Sequence, residues 1–198
     1  MLVLASASPR RRELLIQAGY DFKVVSSNIP EERLPNEEPM AFVTRLAQEK
    51  ARAVLDQLTH KSIEGQLLVL GADTIVVIAG ELLGKPQNSE DAARMLRVLS
   101  GRTHQVMTGV CVISTQHVEV GVETTSVTMQ EIPEREIAAY IATGEPMDKA
   151  GAYAIQGYAA RWIPRIEGCY FNVVGLPIAR VVSMLEGLGP KSEHTRRL

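Results

Sequence analysis

Apolar positions recur along this chain at two spacings, and the switches between them lay out its elements. Leu2-Val3-Leu4-Ala5 is a short apolar run of strand type. A helix follows, with Ser8 at the N-cap, Pro9 at the first helical position, where its missing N–H costs nothing, and Gly19 as the stop after Ala18. Phe22 to Ser26 alternates as a strand, and Ser27 to Glu38, with Pro30, Pro35 and several carboxylates, reads as a loop. From Pro39 the series Phe42, Leu46, Lys50 and Ala53, flanked by Val43, Ala47, Val54 and Leu58, predicts a long amphipathic helix. Lys50 falls near its apolar edge, where the stem packs on apolar neighbours while the ammonium reaches water or a ligand.

Leu67-Leu68-Val69-Leu70 suits a buried central strand, interrupted at Gly71-Ala72-Asp73-Thr74 before Ile75-Val76-Val77-Ile78 resumes. Ala79-Gly80 turns the chain back through Glu81-Leu82-Leu83 to Gly84-Lys85-Pro86. Ser89 is the expected cap of a helix carrying Met95, Leu96 and Leu99, with Gly101 beyond its end. Thr103 to Ser114 and Val118 to Met129 are β-rich, and with Thr115-Gln116-His117 between them they predict an antiparallel hairpin. Pro133 opens a helix that Gly144 ends, and Ile178 to Leu188 forms the last one. Between them Gly144 to Leu176, rich in glycine and short apolar runs, fits no clear element and suits ligand-contacting loops. Interleaved strands and helices make the chain α/β or α+β, with a mixed sheet flanked by helices and two lobes around a cleft. Residues 1–188 read as a single domain and 189–198, including Arg196-Arg197, as a charged, solvated tail.

Composition narrows what such a chain does. With 198 residues, 45% hydrophobic and 22% charged, it can bury a sizeable core. No apolar run approaches the roughly 18 residues of a membrane span, and the N-terminus lacks signal-peptide order, so the expected compartment is the cytoplasm. Cys111 and Cys169 have neither CxxC nor Cys/His spacing and read as reduced thiols. A formal charge of −2 and 5% aromatic residues argue against nucleic acid as a partner. An anion site must then be built from local positive charge. HExxH, GxSxG and GxGxxG are absent and the four histidines are scattered, which removes support for metallopeptidase, serine hydrolase and dinucleotide-binding readings. Gly80 to Gly84 is also no phosphate loop, having one residue too few between its glycines and Pro86 where Ser or Thr is required.

The first helix holds a misfit. Arg10, Arg11 and Arg12 occupy its first turn, where the macrodipole disfavours cations by about 0.3–1 kcal/mol each. Free N–H groups, serine hydroxyls and guanidinium forks at a strand-to-helix turn suit a phosphate. Joined to Lys50, Lys85, Asp73 and Glu31, this inventory suits a nucleoside triphosphate with Mg²⁺: cations hold phosphates, carboxylates hold a metal and orient the attacking water. Each residue also has a plain structural alternative. Lys85 ends a strand, Asp73 accepts backbone hydrogen bonds in a turn, and Glu31 is one loop glutamate among several.

Six stretches in order resemble the successive motifs of the Maf family: Ser6-Ala7-Ser8-Pro9-Arg10-Arg11, Gly71-Ala72-Asp73-Thr74, Gly84-Lys85-Pro86, Ser100-Gly101-Arg102-Thr103-His104, Gly144 through Gly157, and Asn172-Val173-Val174-Gly175-Leu176-Pro177. The resemblance implies an α/β fold related to the inosine triphosphate pyrophosphatases, a divalent metal (Mg²⁺ or Mn²⁺), a homodimer, and cleavage of nucleoside triphosphates to monophosphate and pyrophosphate. On matching positions it implies Asp73 as the catalytic group that activates water, with Glu31 as its acidic partner at the metal. It likewise implies Ser8, Arg10, Lys50 and Lys85 as phosphate-binding and Arg11, Thr74 and Gln156 as base-selecting, while Arg12 matches nothing specific. That last trio resembles the dTTP/UTP branch; the branch preferring 7-methyl-GTP typically carries Trp, Gln and Glu instead. A Gln amide, one donor and one acceptor, suits the O4 and N3–H edge of uracil or thymine. Two departures stand out: Pro30 where an acidic residue is common, and Tyr158-Ala159-Ala160 where the family carries smaller residues. The alternatives are a nucleotide-binding regulator of cell division that does not hydrolyse, and a pyrophosphatase of the same fold for purine or methylated guanine triphosphates.

Overall fold

The computed structural model describes residues 1–59 and 65–188. His60, His194 and the tail 189–198 lie outside the described residues. In chain order the elements are β1 (Leu2–Leu4), α1 (Pro9–Gln17), β2 (Phe22–Val24), α2 (Pro39–Thr59), β3 (Leu68–Ile78), β4 (Glu81–Leu83), α3 (Ser89–Leu99), β5 (Thr103–Ile113), β6 (Val118–Thr128), α4 (Glu134–Ala142), β7 (Arg165–Glu167), α5 (Tyr170–Val174) and α6 (Ile178–Leu188). The strands form one mixed sheet in the order β2-β1-β3-β5-β6-β7, with β4 pairing a further stretch of β3. β1 runs parallel to β2 and β3, and the remaining pairs are antiparallel.

Three expectations need correction. β3 is continuous through Asp73, which pairs with Gly109 of β5, so the carboxylate sits within a strand and not in a turn. The ammonium of Lys50 lies against it and offsets its charge, which is why a strand interior tolerates it. Ser89 is the first residue of α3 rather than its cap; Asn88 takes that place, its side-chain oxygen accepting the Asp91 N–H at 2.8 Å. The stretch 144–176 is more structured than its composition indicates, holding 3-10 turns at Glu145–Asp148, Ala150–Ala152 and Tyr158–Trp162 besides β7 and α5.

Alternation along β3 builds the layers. On one face Leu70 and Ala72 pack with Leu14 and Leu15 of α1 and Val181 and Met184 of α6. Farther along that face Val76 and Ile78 pack with Leu96 and Leu99 of α3, Tyr140 of α4 and Trp162. Thr74 falls between the two cores. The opposite face belongs to α2, where Ala47, Ala51 and Val54 cover Val69, and Phe42, Val43 and Leu46 cover Ile75. α2 rests directly on backbone, because a Cβ on Gly71 would stand 2.2 Å from the Ala47 carbonyl oxygen and one on Gly109 2.2 Å from that of Val43. These glycines set the height of the helix above the sheet.

His104 is buried at the start of β5, its Nε2 2.7 Å from the Tyr153 hydroxyl and its Nδ1 without a partner among the described residues. Burial pushes its pKa down from 6.5 to about 4. Between those values the unfolded chain binds a proton that the folded chain refuses, so stability falls with falling pH and is unaffected above the unfolded value. From pH 7 to pH 5 this group is expected to withdraw about 2 kcal/mol, at about 1.4 kcal/mol per unit. Urea melts at both pH values check it: His104→Gln should show a shallower loss than the parent, and equal losses would mean that His104 is protonated in the folded protein.

Candidate active site

β3 pairs β1 over Leu68–Leu70 and β4 over Val76–Ile78, which leaves Gly71–Ile75 with no strand on that edge. A cleft of about 780 Å³ opens there. Ser8, Arg10, Arg11, Glu31, Lys50, Asp73, Thr74, Lys85 and Gln156 all line it, so every candidate residue named from the sequence comes to one place. Lys149 and Asp148 join them, and the cations Arg10, Arg11, Lys50, Lys85 and Lys149 outnumber the carboxylates Glu31, Asp73 and Asp148. A chain of formal charge −2 thus concentrates positive charge at this cleft.

The cleft floor is an ion-pair cluster. Lys50 Nζ lies 2.6 Å from Asp73 Oδ1 and 2.5 Å from Glu31 Oε1, and Lys85 Nζ is 3.9 Å from Glu31 Oε2. Lys50 and Asp73 are both buried, and Glu31 reaches them from the exposed loop. Lys50 meets Asp73 because it follows Ala47 by one helical turn and Ala47 is seated on Gly71, on the strand face that Asp73 shares. Glu31 is placed by Arg45, whose Nε and Nη2 grip the Glu37 carboxylate at 2.7 and 2.8 Å while Nη2 also donates to the Glu32 carbonyl at 2.9 Å. That fork holds the Glu37 carboxyl down to about 2. Burial alone would raise the Glu31 carboxyl, but the hydrogen bond from Lys50 and the charges of Lys50, Lys85 and Arg11 bring it below its ordinary value.

Beside the cluster Arg11 is held on several sides: its guanidinium donates to the Gly175 carbonyl at 2.8 Å, to Thr74 Oγ1 at 2.9 Å and to Ser6 Oγ at 3.1 Å. Thr74 continues to Thr108 at 2.9 Å, and Asn172, fully buried, donates to the Val106 carbonyl and to Thr125 Oγ1 at 3.0 Å each. This polar chain fills the gap between the two apolar cores. Burial lowers the Arg11 pKa, while the charges of Asp73 and Glu31 act the other way. Ser8 caps α1, accepting the Arg11 N–H at 3.5 Å, and Arg10 reaches across the cleft to Asp148 Oδ2 at 3.2 Å. The three arginines therefore divide, with Arg10 and Arg11 facing the cleft and Arg12 exposed outside it.

Sequence reasoning missed Arg45, Thr108, Asp148, Lys149 and Asn172. Asp148, Lys149 and Asn172 lie within the six motifs, so their positions carried a signal; Arg45 and Thr108 carried none, because what they touch is fixed by folding. Among the described residues no three His, Cys, Asp or Glu side chains gather as metal ligands. Asp73 and Glu31 together offer hard carboxylate oxygens, a set that fits an ion such as Mg²⁺, which keeps water and takes further ligands from phosphates. No helix among the described residues is long and apolar enough to cross a membrane.

Residues 1–188 match the protein family described as Maf-like protein. The dTTP/UTP pyrophosphatase of Koribacter versatilis (strain Ellin345) is 53% identical over 188 residues, spanning 95% of this chain and 94% of that protein. That of Geobacter sulfurreducens is 53% identical over 190 residues, spanning 95% and 96%. The structure of the Staphylococcus aureus Ham1 protein aligns with 95% of this chain and 99% of its own at 15% identity, with a TM-score of 0.47.

Proposed function

The chain belongs to the Maf family, and on that premise we propose that it hydrolyses dTTP and UTP to the nucleoside monophosphate and pyrophosphate in the cleft beside Gly71–Ile75. One observation carries the reading to this chain's own residues: a cation-rich cleft whose floor is a carboxylate bound to a buried lysine. Water attacks the α-phosphorus, the bond to the bridging oxygen breaks, and pyrophosphate leaves. Asp73 orients that water and accepts its proton. Arg10, Lys85 and the Ser8 end of α1 hold the phosphates, and Lys50 neutralises charge next to the attacked phosphorus. A divalent cation held by Asp73 and Glu31 supplies further charge neutralisation on the phosphates when bound. Gln156 reads O4 and N3–H of the base, beside Arg11 and Thr74.

The direct test is product analysis over a panel of triphosphates with Mg²⁺ or Mn²⁺. UTP and dTTP are expected to yield monophosphate and pyrophosphate in equal amounts. Release of orthophosphate, or turnover confined to purine triphosphates, would overturn the proposal.

A further inference from the structure

The amide of Gln156 leaves one question of selectivity open. Its donor and acceptor match O4 and N3–H of uracil, but guanine presents the same pair on its larger ring, as O6 and N1–H. Chemistry at the amide alone does not separate UTP from GTP. A difference in the distance at which the amide stands would separate the smaller ring from the larger.

That distance is set by backbone. Gln156 lies in a tight turn closed by the Gly157 N–H donating to the Ala154 carbonyl at 3.1 Å. Both flanks of the turn are tied to one pair of side chains. The Ala154 N–H donates to the Tyr140 hydroxyl at 3.2 Å, and that hydroxyl donates to Glu145 Oε1 at 2.8 Å. The Tyr158 N–H donates to the same carboxylate at 3.2 Å. Gly157 lies so close that a Cβ on it would stand 2.0 Å from Glu145 Oε1. Tyr140 is fully buried in the α3–α4 core, so the clamp has a rigid base. Tyr158 stacks on its ring with centroids 5.6 Å apart. Ile155, within the turn, packs against the α1–α6 core, so the turn bridges the two apolar cores.

We propose that the Tyr140–Glu145 pair is a positioning device that holds the Gln156 turn at pyrimidine distance and so excludes purine triphosphates. The inference rests on Gln156 reading the base, as proposed above. Neither Tyr140 nor Glu145 lines the cleft.

Tyr140→Phe removes the hydroxyl that links Ala154 to Glu145, and the ratio of kcat/KM for UTP over GTP is expected to fall by about tenfold, the order of one hydrogen bond's net contribution. The fall should come from a gain on GTP and a higher KM for UTP, with kcat on UTP kept. In a Gln156→Ala background the same change should leave the ratio where Gln156→Ala alone puts it. Hydrogen exchange of the segment containing Ala154 and Tyr158 reads the clamp independently, and should quicken in Tyr140→Phe. Should Tyr140→Phe fail to fold, Glu145→Ala takes its place, with Glu145→Gln, whose amide oxygen still accepts from Tyr158, restoring selectivity. Unchanged exchange together with unchanged selectivity in the clamp variants would overturn the positioning role. Selectivity untouched in Gln156→Ala would instead sink the reading of Gln156 as the base contact, and with it the clamp's part in selectivity, whatever the exchange shows.

Discussion

Asp73→Asn is expected to cut turnover of UTP and dTTP by about 10²–10⁴-fold, the span a positioned general base contributes, while the protein still binds nucleotide. The substitution keeps the shape of the side chain and an oxygen that accepts from Lys50, now 2.6 Å away, so the floor of the cleft survives. What disappears is the negative charge that takes a proton from water. Arg10 and Lys85 are unchanged, and in metal-free buffer, where Asp73 has no cation to hold, one anion fewer beside the phosphates should hold or tighten affinity. Single-turnover kinetics beside calorimetric titration of UTP separate the two effects. Turnover near that of the parent would remove Asp73 from its role, and lost binding at intact fold would make it a ligand-holding residue instead. A protein that binds UTP and dTTP tightly and consumes neither before mutation would point to the regulator.

The second large effect lies away from the chemistry. Gly109→Ala adds a methyl group 2.2 Å from the Val43 carbonyl oxygen and 3.0 Å from the Thr44 nitrogen, contacts made by helix backbone that no side-chain rotation relieves. The helix must lift or the strand must bend, and overpacking of this kind costs about 3 kcal/mol or more. At about 2–4 °C per kcal/mol for a domain of this size, the melting temperature should drop by about 6–12 °C. The lift also carries Lys50 away from Asp73, so activity measured well below the new midpoint should be reduced in protein that is still folded. A variant with parental melting temperature and activity would show that α2 does not rest on Gly109.

That seat explains both the reach and the limit of the sequence. The hydrophobic period of α2 is visible without coordinates, and so is the oddity of Lys50 near its apolar edge. Its partner is not, since Lys50 and Asp73 meet through a helix-on-sheet distance fixed by Gly71 and Gly109, which are far apart in the chain. β3 was harder than the hairpin for a related reason. A carboxylate in an apolar run signals a break unless a cation waits for it, and the cation belongs to another element. The hairpin of β5 and β6 needed only local alternation. The stretch 144–176 draws its order from tertiary contacts such as Tyr140 with Glu145 and Thr125 with Cys169, which spacing does not reveal. The six motifs nevertheless hold most of the cleft lining, though neither Glu31 nor Lys50 of its floor.

Asp73 and Thr74 are neighbours, yet the pleat turns them to opposite faces of β3, one toward Lys50 on α2, the other toward Arg11 and the Gly175 carbonyl. On the roles proposed for these residues, a single peptide unit separates the hydrolytic side from the base-selecting side. On those roles, exchanges at Arg11, Thr74 and Gln156 would change which nucleotide is taken while leaving Asp73 and Lys50 in place.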